Sequence, residues 1–250
     1  MSEKITPAWY ARLRALTPAR VGLGRSGVSQ QTRDLLDFQR AHAQARDAVH
    51  ARLEAAAFAA SIETTTGMTA LRLRSMATDR ATYLQRPDLG RGLDEASRAS
   101  LASLGANAWD LAIVVADGLS ALAVERHTLP LMRALLPKLE GWLLAPVCVV
   151  EQGRVAIGDE IGEALGVPVC VVLIGERPGL SSPDSLGAYI TWQPKPGRTD
   201  AERNCVSNIR PEGLVYERAA DQLCFYLTEA TRQRLTGVGL KYASHLLEKD

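Results

Sequence analysis

Every position from 169 to 174, Val-Cys-Val-Val-Leu-Ile, is apolar. A strand with one solvated face would alternate, so this run predicts a strand covered on both faces, as in the middle of a parallel sheet. It stops at Gly175-Glu-Arg-Pro-Gly-Leu180, where a lone carboxylate and an Arg meet a turn. Ligands of open α/β sheets bind beyond the carboxyl ends of the strands, so function is sought at that end.

Two similar runs precede it: residues 110–115, ending in Asp117-Gly-Leu-Ser120, and residues 146–150, ending in Glu151-Gln-Gly-Arg-Val155. Residues 189–192 and 204–209 read as further strands, and 71–76 alternate as a strand would. Helical spacing covers 6–16 with Pro7 at the first position, a long stretch over 33–60, then 94–104, 121–136, 157–165 with Gly166 as its cap, 216–235 and a tail to 247. Residues 79–92 read as a turn-rich loop. Strands alternating with helices of this length predict an α/β fold: a doubly wound, mostly parallel, Rossmann-like sheet over 106–250, preceded by an N-terminal helical region over 1–105. In a parallel sheet the three strand ends above would meet a fourth, 203–208, along one edge. Such a rim of glycine backbone, amides and hydroxyls suits a large ligand rich in amides better than a compact phosphate.

The chemistry of the remaining positions narrows the function. With 29 Lys and Arg against 28 Asp and Glu, the formal charge of +1 recommends neither nucleic acid nor an acidic membrane as partner. Cys148, Cys170, Cys205 and Cys224 form no C-x-x-C pair and no zinc spacing, so no metal site is expected, and Cys148 and Cys170, inside apolar runs, are expected to be reduced core residues. No apolar stretch reaches the ~20 residues of a membrane span, and the N-terminal residues carry no apolar leader, so a soluble intracellular protein is expected. Cys205 and Ser120 are the rim's nucleophiles, but neither has a base nearby in sequence, since His127 lies about two helical turns beyond Ser120. Gly22, Gly24 and Gly27 match G-x-G-x-x-G, which raises a second reading, a stand-alone nucleotide-binding oxidoreductase. That fingerprint needs a buried strand before it and an acidic residue ~20 positions later, and the sequence supplies neither in context.

Six ordered blocks carry a family likeness: Ala19-Arg-Val-Gly-Leu-Gly-Arg-Ser-Gly27; Leu35-Leu-Asp-Phe38 with His42-Ala-Gln-Ala-Arg-Asp-Ala-Val49; Tyr83-Leu-Gln-Arg-Pro-Asp-Leu-Gly-Arg91; Asp117-Gly-Leu-Ser120; Gly175-Glu-Arg-Pro-Gly-Leu180; and Cys205-Val-Ser-Asn-Ile209. Together they resemble the small (light, or β) subunit of ethanolamine ammonia-lyase over nearly the whole chain. The resemblance implies an adenosylcobalamin-dependent lyase that converts ethanolamine to acetaldehyde and ammonia by a radical route. It also implies a hetero-oligomer, in which a large (heavy, α) subunit built as a TIM barrel carries the chemistry and the small subunit closes the cobalamin site. No catalytic residue is expected in this chain. Carried over residue by residue, the family's cobalamin contacts fall on Val155, Glu176 and Cys205. The Asp-x-His-x-x-Gly motif that supplies a histidine to cobalt elsewhere is absent, so the resemblance implies that cobalt keeps its own dimethylbenzimidazole. The implied location is the cytoplasm, with a bacterial microcompartment as the alternative, because encapsulated relatives carry a longer N-terminal extension.

Overall fold

The computed structural model describes residues 8–105 and 107–242. In chain order its elements are α1 (Ala8–Leu16), β1 (Arg25–Ser26), β2 (Ser29–Gln30), α2 (Thr32–His50), α3 (Ala55–Thr66), β3 (Ala70–Arg74), α4 (Arg80–Gln85), α5 (Glu95–Ala102), β4 (Leu111–Ala116), α6 (Ala121–Leu135), β5 (Val147–Glu151), α7 (Ile157–Leu165), β6 (Val169–Gly175), β7 (Leu186–Trp192), β8 (Arg203–Ile209) and α8 (Tyr216–Gln233).

Six strands form one mixed sheet in the order β3-β5-β4-β6-β7-β8, the first four parallel to one another. β4 and β6 lie inside it and are fully buried, which is why neither alternates. Side chains of one parity, Leu111, Ile113, Val115, Val171 and Leu173, pack under α3, α6 and α8. The other parity, Ala112, Val114, Val150, Cys170 and Val172, packs against α7 and Leu101 of α5. Helices therefore cover both faces, and the α/β expectation holds.

Strand direction departs from expectation on one side. β7 runs antiparallel to both β6 and β8. A parallel return needs a crossover of a dozen or more residues, usually a helix, and the ten residues 176–185 contain none, so the chain turns back directly.

The sheet also draws an edge strand, β3, from the first 105 residues, so that region supplies more than helices. Gly24 precedes β1 and Gly27 lies in the turn of the β1–β2 hairpin, which is outside the main sheet. No sheet strand leads into this glycine triplet, so the geometry of a dinucleotide fingerprint is missing. The long helix expected over 33–60 is two helices, broken at 51–54, where Leu53 turns into the core. The loop expected over 79–92 contains α4, capped by Asp79, whose side chain accepts from Thr82 N at 2.9 Å. The tail expected beyond 242 lies outside the described residues. No described helix is long and apolar enough to cross a membrane.

Candidate functional site

Three loops leave the carboxyl edge of the parallel strands and are locked to one another. Gly118, at φ +57°, packs against Gly175 with no room for a side chain, and Leu119 N donates to Gly175 O at 2.9 Å. Asp117, 1% exposed, accepts from Gly153 N and faces Arg80, with Nη1 and Oδ2 3.5 Å apart. Burial raises the Asp117 carboxyl to about 6, opposed by the Arg80 charge. Arg80 Nη1 also donates to Gly118 O at 2.8 Å and to Gln152 Oε1 at 3.3 Å, while its Nε donates to Val49 O at 2.7 Å. One guanidinium thus ties the end of α2 to the loops after β4 and β5.

Tyr83, one turn along α4, is sandwiched between Arg80 and Arg154, whose guanidinium carbons lie 4.9 and 4.1 Å from its ring centre. Its hydroxyl donates to Gly153 O at 3.0 Å. Arg154 Nε is buried and has no hydrogen-bond partner among the described residues.

A recess of about 420 Å³ opens beside these loops, lined by Tyr83, Arg154, Val155, Ile174, Glu176 and Tyr189 among others. Val155 and Arg154 also line a neighbouring cavity of about 770 Å³. Glu176 begins the β6–β7 hairpin, where its N donates to Ser185 O at 2.9 Å. Its Oε2 accepts from the Ser185 hydroxyl and from Asn208 N, and the carboxylate stands beside Gly187, which leaves it room. Among the described residues no hydrogen bond falls on Oε1.

Of the three residues carried over, Val155 and Glu176 line one recess on loops, as expected. Cys205 does not sit on a loop. It lies inside β8, opposite Tyr189, which is itself opposite Val172. The strand expected over 204–209 is therefore present as β8, and what differs is that 203–208 forms the body of an edge strand rather than a rim at a strand end. Tyr189 bridges the set, since it lines the recess with Val155 and Glu176 and neighbours Cys205. On this sheet face α5 and α7 pack over β3 to β6, whereas Tyr189 on β7 is only half-buried and Cys205 on β8 is exposed. Desolvation raises the Cys205 thiol, against the neighbouring Tyr189 hydroxyl, so the sulfur is no ready thiolate. Desolvation likewise raises the Tyr189 phenol, which stays a neutral donor.

The family model described as Ethanolamine ammonia-lyase light chain (EutC) matches residues 7–241. The chain belongs to that light-chain family. A protein of Azotobacter vinelandii named ethanolamine ammonia-lyase small subunit is 57% identical over 246 residues, covering 96% of this chain and 91% of that one. Proteins of the same name from Pseudomonas aeruginosa and Ralstonia nicotianae are 59% and 55% identical, covering 92% and 95% of this chain and 85% and 89% of theirs.

Set against this light-chain membership, the site is notable for what its residues offer chemically. Among the described residues no three His, Cys, Asp or Glu side chains converge as a metal-binding group. The rim hydroxyl of Ser120 donates to Pro183 O at 2.9 Å, and its Oγ caps α6 through Ala123 N. His127 meets Tyr216 and Asp184 instead, so Ser120 and Cys205 gain no base from it. Tyr189, Arg154, Tyr83 and Arg80 escaped the sequence reading. Tyr83 stands in one of the blocks that carry the family likeness and Arg154 in the strand-end stretch 151–155, whereas Arg80 and Tyr189 had no such signal, being brought in by α4 and by strand pairing.

Proposed function

We propose that this chain is the small subunit of an adenosylcobalamin-dependent ethanolamine ammonia-lyase and closes the cobalamin site against a large catalytic subunit. One observation carries the reading: Val155 and Glu176 line a single recess with Tyr189, and Tyr189 stands beside Cys205. The donor set fits a corrin. Glu176 Oε1 is free to accept from a side-chain amide, the neutral Tyr189 phenol can donate to an amide carbonyl, and Val155 offers apolar contact. Arg154 brings to the same wall a buried Nε that has no partner among the described residues. A corrin with its amide arms is broader than a 420 Å³ recess can enclose, so a second polypeptide supplies the opposite wall.

Adenosylcobalamin, when bound, supplies an organic radical through homolysis of its cobalt–carbon bond. The residues of this chain bind, orient and exclude water, and among the described residues neither Ser120 nor Cys205 is paired with a base. The proposed docking surface for the large subunit is the N-terminal region, where Trp9, Leu13, Leu35, Leu36 and Phe38 are exposed large apolar side chains. On the family resemblance alone, the proposed location is the cytoplasm.

Co-expression with the large subunit tests this reading. Gel filtration after adding hydroxocobalamin should carry a visible corrin spectrum with the two-chain complex, and Glu176→Gln should weaken retention by about 5- to 100-fold, as loss of one charge-assisted hydrogen bond would. Equal corrin affinity of the large subunit alone would sink it.

A further inference from the structure

The 176–185 hairpin that carries Glu176 has no regular structure of its own, yet it is held at several points. Its tip closes on itself through Gly179 N to Ser182 O and Ser182 N to Gly179 O, at 3.0 and 3.2 Å. Its return limb is gripped from two sides. From α6, Arg126 Nη1 donates to Asp184 Oδ2 at 2.7 Å, and His127 Nε2 lies 3.6 Å from the same oxygen. From the turn after β8, Arg210 Nη1 lies 3.9 Å from Asp184 Oδ1 and donates to Ser181 O at 3.2 Å. The Arg210 Nε donates to Asn208 Oδ1 at 3.1 Å, and Asn208 N reaches Glu176 Oε2 at 3.2 Å. The next residue after Asp184 is Ser185, whose hydroxyl and carbonyl both bond to Glu176.

Two guanidiniums and an imidazole thus converge on one carboxylate, 15% exposed. We propose that Asp184 is a positioning residue: it clamps the hairpin between α6 and the β8–α8 turn, and Ser185 passes that clamp to Glu176, aiming Oε1 into the recess. This rests on the reading that Glu176 meets the cofactor. Charge rather than shape does the clamping, because Arg126 and Arg210 approach opposite oxygens of the carboxylate. Arg126, 55% exposed, makes the direct hydrogen bond, while Arg210, 8% exposed, stands 3.9 Å from Asp184 and 3.8 Å from Glu212 Oε2 and acts on both carboxylates at longer range.

The test uses the complex of this chain with its large subunit. Hydrogen exchange without cofactor follows peptides spanning 176–185 and 203–209, and hydroxocobalamin affinity is read from its visible absorption. Asp184→Asn should speed exchange in both peptides and weaken hydroxocobalamin, each about tenfold, with no further weakening when combined with Glu176→Gln. Asp184→Glu should restore most of both, and the KM for ethanolamine at saturating adenosylcobalamin should not move. Unchanged exchange in Asp184→Asn, or additive weakening in the double variant, would overturn the clamp. Fast exchange in Asp184→Asn together with unaltered affinity in Glu176→Gln would overturn the Glu176 contact while supporting the hold on the hairpin. Should Asp184→Asn fail to fold, Arg126→Ala, which truncates an exposed side chain, should give a smaller change in the same direction, and no change there would count against the clamp.

Discussion

Arg203 donates from Nη1 to Asp159 Oδ1 and from Nη2 to Asp159 Oδ2, both at 2.7 Å, with each side chain 2% exposed. Nη1 also meets Thr191 Oγ1 at 2.8 Å, and Nη2 meets Arg198 O at 3.0 Å. The pair joins α7, which follows Val155, to β8, which carries Cys205. Two parts of the candidate site are therefore held in register by one bidentate contact.

Removing one partner strands a buried charge. Arg203→Met or Asp159→Asn should each lower stability by about 3–5 kcal/mol, whereas replacing both by apolar residues of similar volume should cost far less. Urea unfolding of the three variants measures this. Equal losses for the single and double variants would show that packing, and not the uncompensated charge, sets the cost.

Asp117 gives the fold a pH dependence of definite sign. Its carboxyl is raised to about 6 in the folded chain, above the value near 3.8 expected when unfolded. Folding therefore favours the protonated form: this contribution is fully present below about pH 4 and is lost as pH rises through about 6. Relative to Asp117→Asn, which does not titrate, the wild-type chain should lose on the order of 3 kcal/mol across that window. Denaturant titrations of both chains at several pH values check it, and a difference that stays flat would refute the shift.

Gly175 sits where a side chain has no space, because an added Cβ would collide with the carbonyl of Ser120 and approach that of Asp117. Gly175→Ala should destabilise by about 1–3 kcal/mol, since backbone on both sides must move. It should also weaken hydroxocobalamin binding by the two-chain complex, as the loops after β4 and β6 lose their close approach. Thermal unfolding and absorption titration read the two effects separately.

Tyr189 separates ring contact from hydrogen bonding. In the two-chain complex Tyr189→Ala should weaken hydroxocobalamin by about tenfold, in line with the worth of a well-packed aromatic, and Tyr189→Phe by less. Its half-buried place on the sheet face predicts little loss of stability for Tyr189→Phe. Wild-type affinity in Tyr189→Ala would remove this residue from the site.

The buried strands were readable because burial on both faces leaves unbroken apolar runs, as 169–174 shows. The cap at Gly166, at φ +67°, was equally readable, because a left-handed residue after a helix favours glycine. The direction of β7 was open to inference from the helix-free 176–185, but strand composition alone is the same in either direction. The break at 51–54 has no Gly or Pro to mark it, since it arises where Leu53 and the apolar face of α3 turn onto the sheet. The strand holding Cys205 was readable over 204–209, but its place at the sheet edge was not, because edge position depends on pairing with β7.

Local patterning and ordered motifs by themselves determined the α/β class, most of the strands and helices, the light-chain family, and the place of Val155 and Glu176 on loops at strand ends. These depend on neighbours within a few positions or on blocks kept in order along the chain. Only the tertiary structure decided that Tyr189 stands between Glu176 and Cys205, that Arg80 reaches from α4 into the sheet edge, and that Asp184 gathers Arg126, His127 and Arg210. Those meetings depend on strand pairing and helix docking, where contacts between residues far apart in sequence are chosen by burial and charge together, and no local pattern records them.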